Sequence, residues 1–282
     1  MGVRIREARA ADKEPLMSFI KDVWGGHDYL PRVWDEWLAQ KSGRMFVVEV
    51  GGVPVGMNRV RFLEDGSAWF EGVRVHPEFR GRGLASMLGE ASMRFALRRG
   101  HTLYRLTSNS RNKAAHRQVA RIGFSEVSRV SVYEPGARMR FRPQAGVRGA
   151  TLADAVRVEE MVKVSKEYAL GGGVMWDGFT AFSLTREVIA NMIRDGSVLL
   201  CDEAVAIARP GREGREKWSQ VCFVGGRTEG SVKLVRHIFG TTKGDWKLAY
   251  VPQGSPIIGA LRLCGFRRQF SLVLFERNSA KG

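Results

Sequence analysis

Arg80-Gly81-Arg82-Gly83-Leu84-Ala85 is the stretch of this 282-residue chain whose residue types point most directly to chemistry. It follows Trp69 to Val75, a run rich in β-branched and aromatic residues that reads as a strand. His76 and Pro77 end that strand, since proline cannot continue a ladder. After the turn, Leu84, Leu88, Ala91 and Phe95 recur on one face of a helix. A strand feeding a glycine-rich turn into a helix can hold phosphate. The first amides of a helix lack intrahelical partners, and the helix dipole favours an anion there. Glycine at 81 and 83 lets backbone approach phosphate oxygens without a Cβ in the way, and Arg80 and Arg82 add positive charge. The turn lacks the Gly-x-x-x-x-Gly-Lys-Ser/Thr pattern of a nucleotide-triphosphate loop and the three spaced glycines of a dinucleotide fingerprint.

The flanking elements must carry this turn. Val3 to Ala8 alternates as a first strand, and Asp12 is placed to cap the helix that follows, with Pro15 in its first turn. Leu16, Phe19, Ile20 and Val23 form its apolar stripe. The loop from Trp24 to Pro31 is dense in aromatic and polar residues, and Val33, Trp34, Trp37 and Leu38 follow at helical spacing. Met45–Val50 and Pro54–Phe62 read as strands joined through Gly51-Gly52, a hairpin signal. Gly100 marks the end of the helix after the turn; a strand over 103–107, a helix over 112–122 and a strand over 124–133 complete the order β-α-α-β-β-β-α-β-α-β.

Length predicts two domains, and 44% hydrophobic with 26% charged residues fits a globular chain with a real core. With no apolar run of 18 residues, no transmembrane helix is expected, and the charged, strand-like start shows no signal peptide. Cys201, Cys222 and Cys264 lie far apart, which argues against a disulfide frame or zinc site and for reduced core cysteines in a cytoplasmic protein; the five scattered histidines argue against a metal. The net charge of +16 suits an anionic ligand. It also fits nucleic acid, but no block of five like charges is present, which weighs against that partner.

The second half repeats features of the first. Gly265-Phe266 and Phe270–Glu276 parallel Gly123-Phe124 and Ser128–Glu134 at an offset of 142 residues. At that offset Trp246–Val251 falls on Tyr104–Asn109, and Ile257–Leu263 on Ala115–Arg121. Val147-Arg148 resembles Val3-Arg4. The expectation is a domain over 1–134, a Pro- and Gly-containing linker over 135–146, and a related domain over 147–282.

Arg80, Gly83 and Ala85 fit the pattern Arg/Gln-x-x-Gly-x-Gly/Ala, preceded by Val73-Arg74-Val75-His76-Pro77-Glu78-Phe79. This resembles the acetyl-CoA signature of the GNAT acyltransferase superfamily, over residues 3–134. The resemblance implies an α/β fold with a mixed α+β sheet and acetyl-CoA as cosubstrate. The cosubstrate would wedge between the strands at 69–75 and 103–107. Amides near Val73 and Val75 would meet the pantetheine and polarise the thioester carbonyl. Arg80, Gly81, Arg82, Gly83, Leu84 and Ala85 would hold the pyrophosphate, and Asn112 would touch CoA. In the second half, Arg227-x-x-Gly230 ends in Val232 where Gly or Ala is needed, and Glu229 adds repulsion. The second domain is therefore expected to be a degenerate copy.

Glu71 resembles the glutamate that some members of the superfamily use to draw a proton from the attacking amine. Burial between Trp69 and Val73 would make it more basic. The alternatives are a structural pair with Arg74 or Arg105, or a residue that binds the substrate ammonium. Val119 stands where many members carry the tyrosine that reprotonates the leaving thiolate, and His116, Ser110 and Tyr104 are the substitutes at hand. With no cysteine near the turn, direct transfer in a ternary complex is expected.

Gly25-Gly26-His27-Asp28-Tyr29-Leu30-Pro31 with Trp37-Leu38, Glu71–Val75 and Arg105–Thr107 resembles the vertebrate histidine N-acetyltransferase family, with a fainter likeness at Met175-Trp176-Asp177. That resemblance implies a small amino-acid acceptor acetylated on its α-amine. Asp28 or Glu71 would meet the ammonium, Arg74 or Arg105 the carboxylate, and Tyr29, Trp34 or Trp176 would flank a ring, with core packing as the alternative for each aromatic. A protein N-terminal or lysine acetyltransferase would need an open groove, and a non-catalytic module would bind CoA or nucleic acid.

Overall fold

The hydrophobic periods of the sequence become alternating strands and helices in the computed structural model. It describes all residues except Met1, Asp22, Arg138, Gly214, Arg215, Lys243, Gly244, Asp245 and Gly282; the side chains of Trp24, 211–213, 216–217 and Lys281 also lie outside the described set. The first elements are β1 (Val3–Glu7), α1 (Lys13–Ile20), α2 (Leu30–Ala39), β2 (Gly43–Val50), β3 (Val53–Phe62), β4 (Ala68–Val75), α3 (Leu84–Leu97), β5 (Leu103–Asn109), α4 (Lys113–Arg121) and β6 (Ser125–Pro135). They are followed by β7 (Arg148–Gly149), α5 (Ala155–Val164), α6 (Lys166–Leu170), β8 (Val174–Asp177), β9 (Thr180–Ser183), α7 (Arg186–Arg194), β10 (Val198–Cys201), β11 (Ala204–Glu213), β12 (Glu216–Gly226), α8 (Thr228–Thr241), β13 (Trp246–Pro252), α9 (Ile257–Leu263) and β14 (Phe266–Asn278). The fold class is α/β, built on mixed parallel and antiparallel pairing.

Two compact units divide the chain: residues 1–106, 113–125 and 275–282 form one, and 107–112 with 126–274 form the other. The division differs from a break at 134 with a linker over 135–146. From Glu126 onward β6 belongs to the second unit, and the last residues of the chain complete the first. In the first unit the end of β14 runs beside β5: Ser279 N–H donates to Thr102 O at 2.9 Å, and Arg105 Nε reaches Glu276 Oε2 at 2.9 Å.

Within the first unit β1, β2, β3 and β4 pair antiparallel in order, and β4 pairs parallel with β5. Alternation along β2 sorts its side chains to two faces. Met45 and Val47 pack with Leu16, Phe19, Ile20, Leu30, Trp34 and Trp37 of α1 and α2. Phe46 points the other way, edge-on to Phe95 of α3 at 5.5 Å. Full burial of side chains such as Leu16 and Leu30 stabilises by roughly 1.5–3 kcal/mol each.

Asp12 does not cap α1 with its side chain. It is buried, with its carboxylate taking both terminal nitrogens of Arg6 (2.7 and 2.6 Å) and the Arg9 N–H at 2.7 Å. In the second unit Asp154 takes Arg148 at 2.7 and 2.6 Å and the Thr151 N–H at 2.9 Å. Arg6, Arg9 and Asp12 thus have counterparts 142 residues on, which aligns Arg148 with Arg6 instead of Arg4.

The second unit pairs β10, β11 and β12 antiparallel, β12 parallel to β13, and β13 antiparallel to β6. Leu234, Val235, Ile238 and Phe239 of α8 pack with Ala206, Val221 and Val251. The β8–β9 hairpin and α7 have no counterpart in the element order of the first unit. Among the described residues no helix is long and apolar enough to cross a membrane.

One local irregularity shapes β4. The register with β3 shifts between Met57 and Arg59, so Gly72 and Val73 together face Asn58. Gly72 holds φ +69°, and a Cβ there would lie 2.8 Å from a ring carbon of Trp37. The bulge therefore needs a residue with no side chain, both for its backbone and for Trp37. Gly72→Ala is expected to lower the unfolding free energy by about 2–4 kcal/mol, read from the urea midpoint. An unchanged midpoint would remove Trp37 and the bulge as the local constraint.

Candidate active site

The ladder between β4 and β5 holds Ala68–Tyr104 and Trp69–Arg105 and, among the described residues, extends no further. Beyond Trp69, β4 keeps only β3 as a neighbour. His76 N–H donates to Val55 O of β3 at 2.8 Å. By two-residue alternation the amides of Val75 and Val73 face the opposite edge, away from β3. Val73 is exposed and Val75 half-buried. Amides so directed can receive a carbonyl or an amide of an extended ligand.

The turn continues from that edge. Gly81 and Gly83 have φ of +78° and +77°, and no described atom lies within 4 Å of where a Cβ would stand on either. Gly83 is the N-cap of α3 and supplies no side chain to its first amides. Arg80, Gly81, Arg82 and Gly83 are exposed, Leu84 anchors the helix in the core, and Ala85 is half-buried. Arg80 Nε donates to Val75 O at 3.2 Å, and the Arg82 guanidinium lies 5.0 Å from the Phe79 ring. Open glycines, free helical amides and two cations fit a pyrophosphate.

The corresponding turn of the second unit is closed. Gly226 has φ +103°, and a Cβ there would meet Glu203 O at 2.2 Å. Arg227 N–H already donates to Glu203 O at 3.1 Å.

Glu71 does not sit isolated between hydrophobic neighbours. It lies opposite Arg59 in the β3–β4 register. Its Oε1 takes Arg59 at 2.5 Å and Arg61 Nε at 3.2 Å, so its partners are neither Arg74 nor Arg105. Burial lowers the pKa of Arg59 from its ordinary value, opposed by the charge of Glu71. The Arg59 guanidinium stands 4.5 Å from the Trp37 ring and bonds Gln40. Arg59 and Arg61 thus hold a residue that the sequence alone singled out without its setting, and Gln40 in turn holds Arg59. The signal available was the turn at 64–67: a regular hairpin around it sets Glu71 across from Arg59.

The charges expected to meet an amino acid are largely committed elsewhere. Asp28 is buried and takes Arg74 Nε at 2.6 Å while its Oδ1 accepts Leu30 N–H at 3.0 Å. Asp28 and Arg74 are therefore each other's partner, not separate ligands for ammonium and carboxylate. Arg105 is buried between Asp65 at 2.7 Å and Glu276 at 2.9 Å, a structural pairing. Trp34 is fully buried in the α1–α2 core and cannot flank a ligand ring. Trp176 is likewise core, in β8 of the second unit. Tyr29 is half-buried, edge-on to Trp37 at 5.8 Å, with Arg74 5.7 Å from its ring. Burial pushes its pKa up to about 12, so it is a neutral hydroxyl at physiological pH. Trp24's side chain lies outside the described residues.

Of the substitutes for a leaving-group acid, Tyr104 is buried with its hydroxyl 3.1 Å from Ser279 Oγ. Val119 is buried in α4, and the half-buried His116 ring stands 5.0 Å from Phe275. Ser110 and Asn112 belong to the second unit, with Asn112 in the turn before α4. Burial raises the thiol pKa values of Cys201 and Cys222, so neither is an activated nucleophile.

The profile of the Acetyltransferase (GNAT) family matches residues 6–124. The Histidine N-acetyltransferase of Oreochromis niloticus is 31% identical over 88 residues, 31% of this chain and 26% of the fish protein. The Histidine N-acetyltransferase of Xenopus tropicalis is 35% identical over 82 residues, 28% of this chain and 25% of the frog protein. The matched stretches thus span about a quarter of the length of these relatives. The crystal structure of a GCN5-related N-acetyltransferase from Sphaerobacter thermophilus superposes with a TM-score of 0.64 at 16% identity, covering 98% of this chain and 96% of that one. The likeness in fold reaches across both units, whereas the family profile covers the part that holds the open turn and the bulged strand. Residues 6–124 of this chain are similar to the Acetyltransferase (GNAT) family, a likeness that spans less than half of the chain.

Proposed function

We propose that the chain is an acetyl-CoA-dependent N-acetyltransferase that acetylates a small amine, the α-amine of an amino acid, by direct transfer in a ternary complex. One conjunction carries the reading: β4 leaves β5 after two pairs, with the Val73 and Val75 amides turned to the open edge, and the same strand runs into the open turn before α3. The turn would hold the pyrophosphate, and the two amides would fix the pantetheine and favour the charge that develops on the thioester oxygen.

An amine attacks only when neutral. Oε2 of Glu71 meets the acceptor ammonium. With Oε1 held by Arg59 and Arg61, Oε2 orients the ammonium and passes its proton on to water. The thiolate leaves without a side-chain acid, since Val119 supplies none and the Tyr104 hydroxyl is engaged. A free amino acid suits the +16 surface better than a lysine-rich peptide, which that charge would repel. The two vertebrate relatives named for histidine support an amino-acid acceptor.

The second unit is proposed as a degenerate copy of the first. The support is the repeated Arg–Asp pairing at Arg6–Asp12 and Arg148–Asp154, together with the Glu203 carbonyl on the turn at 226–227.

Free-thiol release from acetyl-CoA, measured against the twenty amino acids, polyamines and short peptides, is expected to show turnover with an amino acid. Turnover with peptides alone would replace the acceptor; no turnover with any of them would contradict the activity. Glu71→Gln is expected to reduce kcat/KM at least about tenfold while CoA affinity stays within about twofold. Circular dichroism checks the fold, because Arg59 loses its charge partner. Near-normal turnover would remove Glu71 from the mechanism.

A further inference from the structure

Asn58 lies in β3 across from the bulge of β4 and is fully buried. Alternation puts its side chain on the face opposite Met57, which packs with α1 and α2. There its Nδ2 donates to Leu88 O at 3.2 Å and to Ser92 Oγ at 2.8 Å, both on α3. Leu88 and Ser92 are buried as well. The Oδ1 of Asn58 has no hydrogen-bond partner among the described residues. An unpaired buried acceptor costs stability, so an apolar side chain of similar size would suit this place better if packing were its only task.

The two bonds complete a clamp on the bulge. Trp37 of α2 presses on Gly72 from one face of the sheet, and Asn58 ties the same level of β3 to α3 on the other. Apolar contact between a helix and a sheet has no preferred direction and tolerates sliding. A hydrogen bond to a chosen carbonyl does not; it selects one position along the helix axis. Leu88 lies about one turn, or 6 Å, after Leu84, where α3 begins without a side-chain cap. Asn58 therefore relates the level of the bulge to the level of the turn at 80–85.

A ligand that uses the open edge of β4 and the turn at once needs the two held at a fixed spacing. We propose that Asn58 is a positioning residue for the cosubstrate. By holding α3 against the bulge, it keeps the Val73 and Val75 amides and the turn in a relation that one CoA molecule can span. The proposal rests on the reading of that edge and that turn as the CoA site. Two contacts joined in one ligand gain affinity by a factor set by how well their spacing matches the link between them. Asn58 acts on that factor and leaves each contact intact.

Titration of the full chain with CoA and with two fragments, pantetheine and ADP, tests this without any acceptor. Pantetheine addresses the strand edge, and ADP addresses the turn. Asn58→Leu is expected to weaken CoA about tenfold while each fragment keeps its affinity within about twofold. Ser92→Ala removes the shorter bond and little volume; it is expected to weaken CoA about threefold, with the fragments again unchanged. The double variant is expected to bind CoA as Asn58→Leu does, because Ser92 acts through Asn58. Unchanged CoA affinity in Asn58→Leu would overturn the assignment. So would a parallel loss of pantetheine or ADP binding, which would mean damage to the contacts themselves instead of a lost spacing. If Asn58→Leu fails to fold, Ser92→Ala decides alone, and full CoA affinity there would overturn the assignment. Absence of CoA binding by the wild type would overturn the CoA site itself and this assignment with it.

Discussion

Trp37 occupies the space that a side chain at position 72 would need, and the functional face of the first unit depends on that contact. The ring leaves room only for glycine, and glycine permits the positive φ that β4 adopts there. The resulting bulge sets two residues against Asn58 and turns the strand. With β5 gone from its side after Trp69, the bulged strand carries amides that have no ladder to join. A sheet normally leaves no such groups unpaired except at an edge. Here the edge lies within the order of strands, and it opens at the same end as the glycine turn.

Trp37 also touches the other half of the site. Arg59 stacks on it and reaches Glu71, so one aromatic ring supports both the bulge and the ion pair. The arrangement separates two tasks. In the proposed function the backbone groups, fixed by β4 and α3, would face the cosubstrate. Side-chain charge, fixed by β3 and α2, lies one or two residues away and in the proposed function would face the acceptor. Removing Arg59 or Glu71 would leave a desolvated charge behind, which links the integrity of the site to folding.

The sequence was legible where information is local. The turn at 80–85, its flanking strand and helix, the hairpin at 51–52 and the element order to residue 135 all follow from periodicity and turn chemistry. Pairing between distant residues was not. Nothing near Asp28 marks Arg74 as its partner, and nothing near Arg105 marks Glu276, because both pairs depend on how far-separated strands and loops meet. Residue type suggested ligands in each case, and long-range packing made them structure. Trp34 misled for a related reason: helical spacing identifies a buried stripe but does not say whether its aromatic faces a core or a cleft. The division into units was hidden too, since residues 275–282 join a unit formed mainly by the start of the chain.

Amide shifts on titration with CoA, followed by backbone NMR of the full chain, address the cradle directly. If the parted strand and uncapped helix form the cosubstrate site, the amides of Val73, Val75, Gly81, Gly83, Leu84 and Ala85 should move together and saturate with one affinity, while Arg227 to Gly230 stay in place. Shifts confined to the start of α8, or none at 81–85, would contradict the assignment.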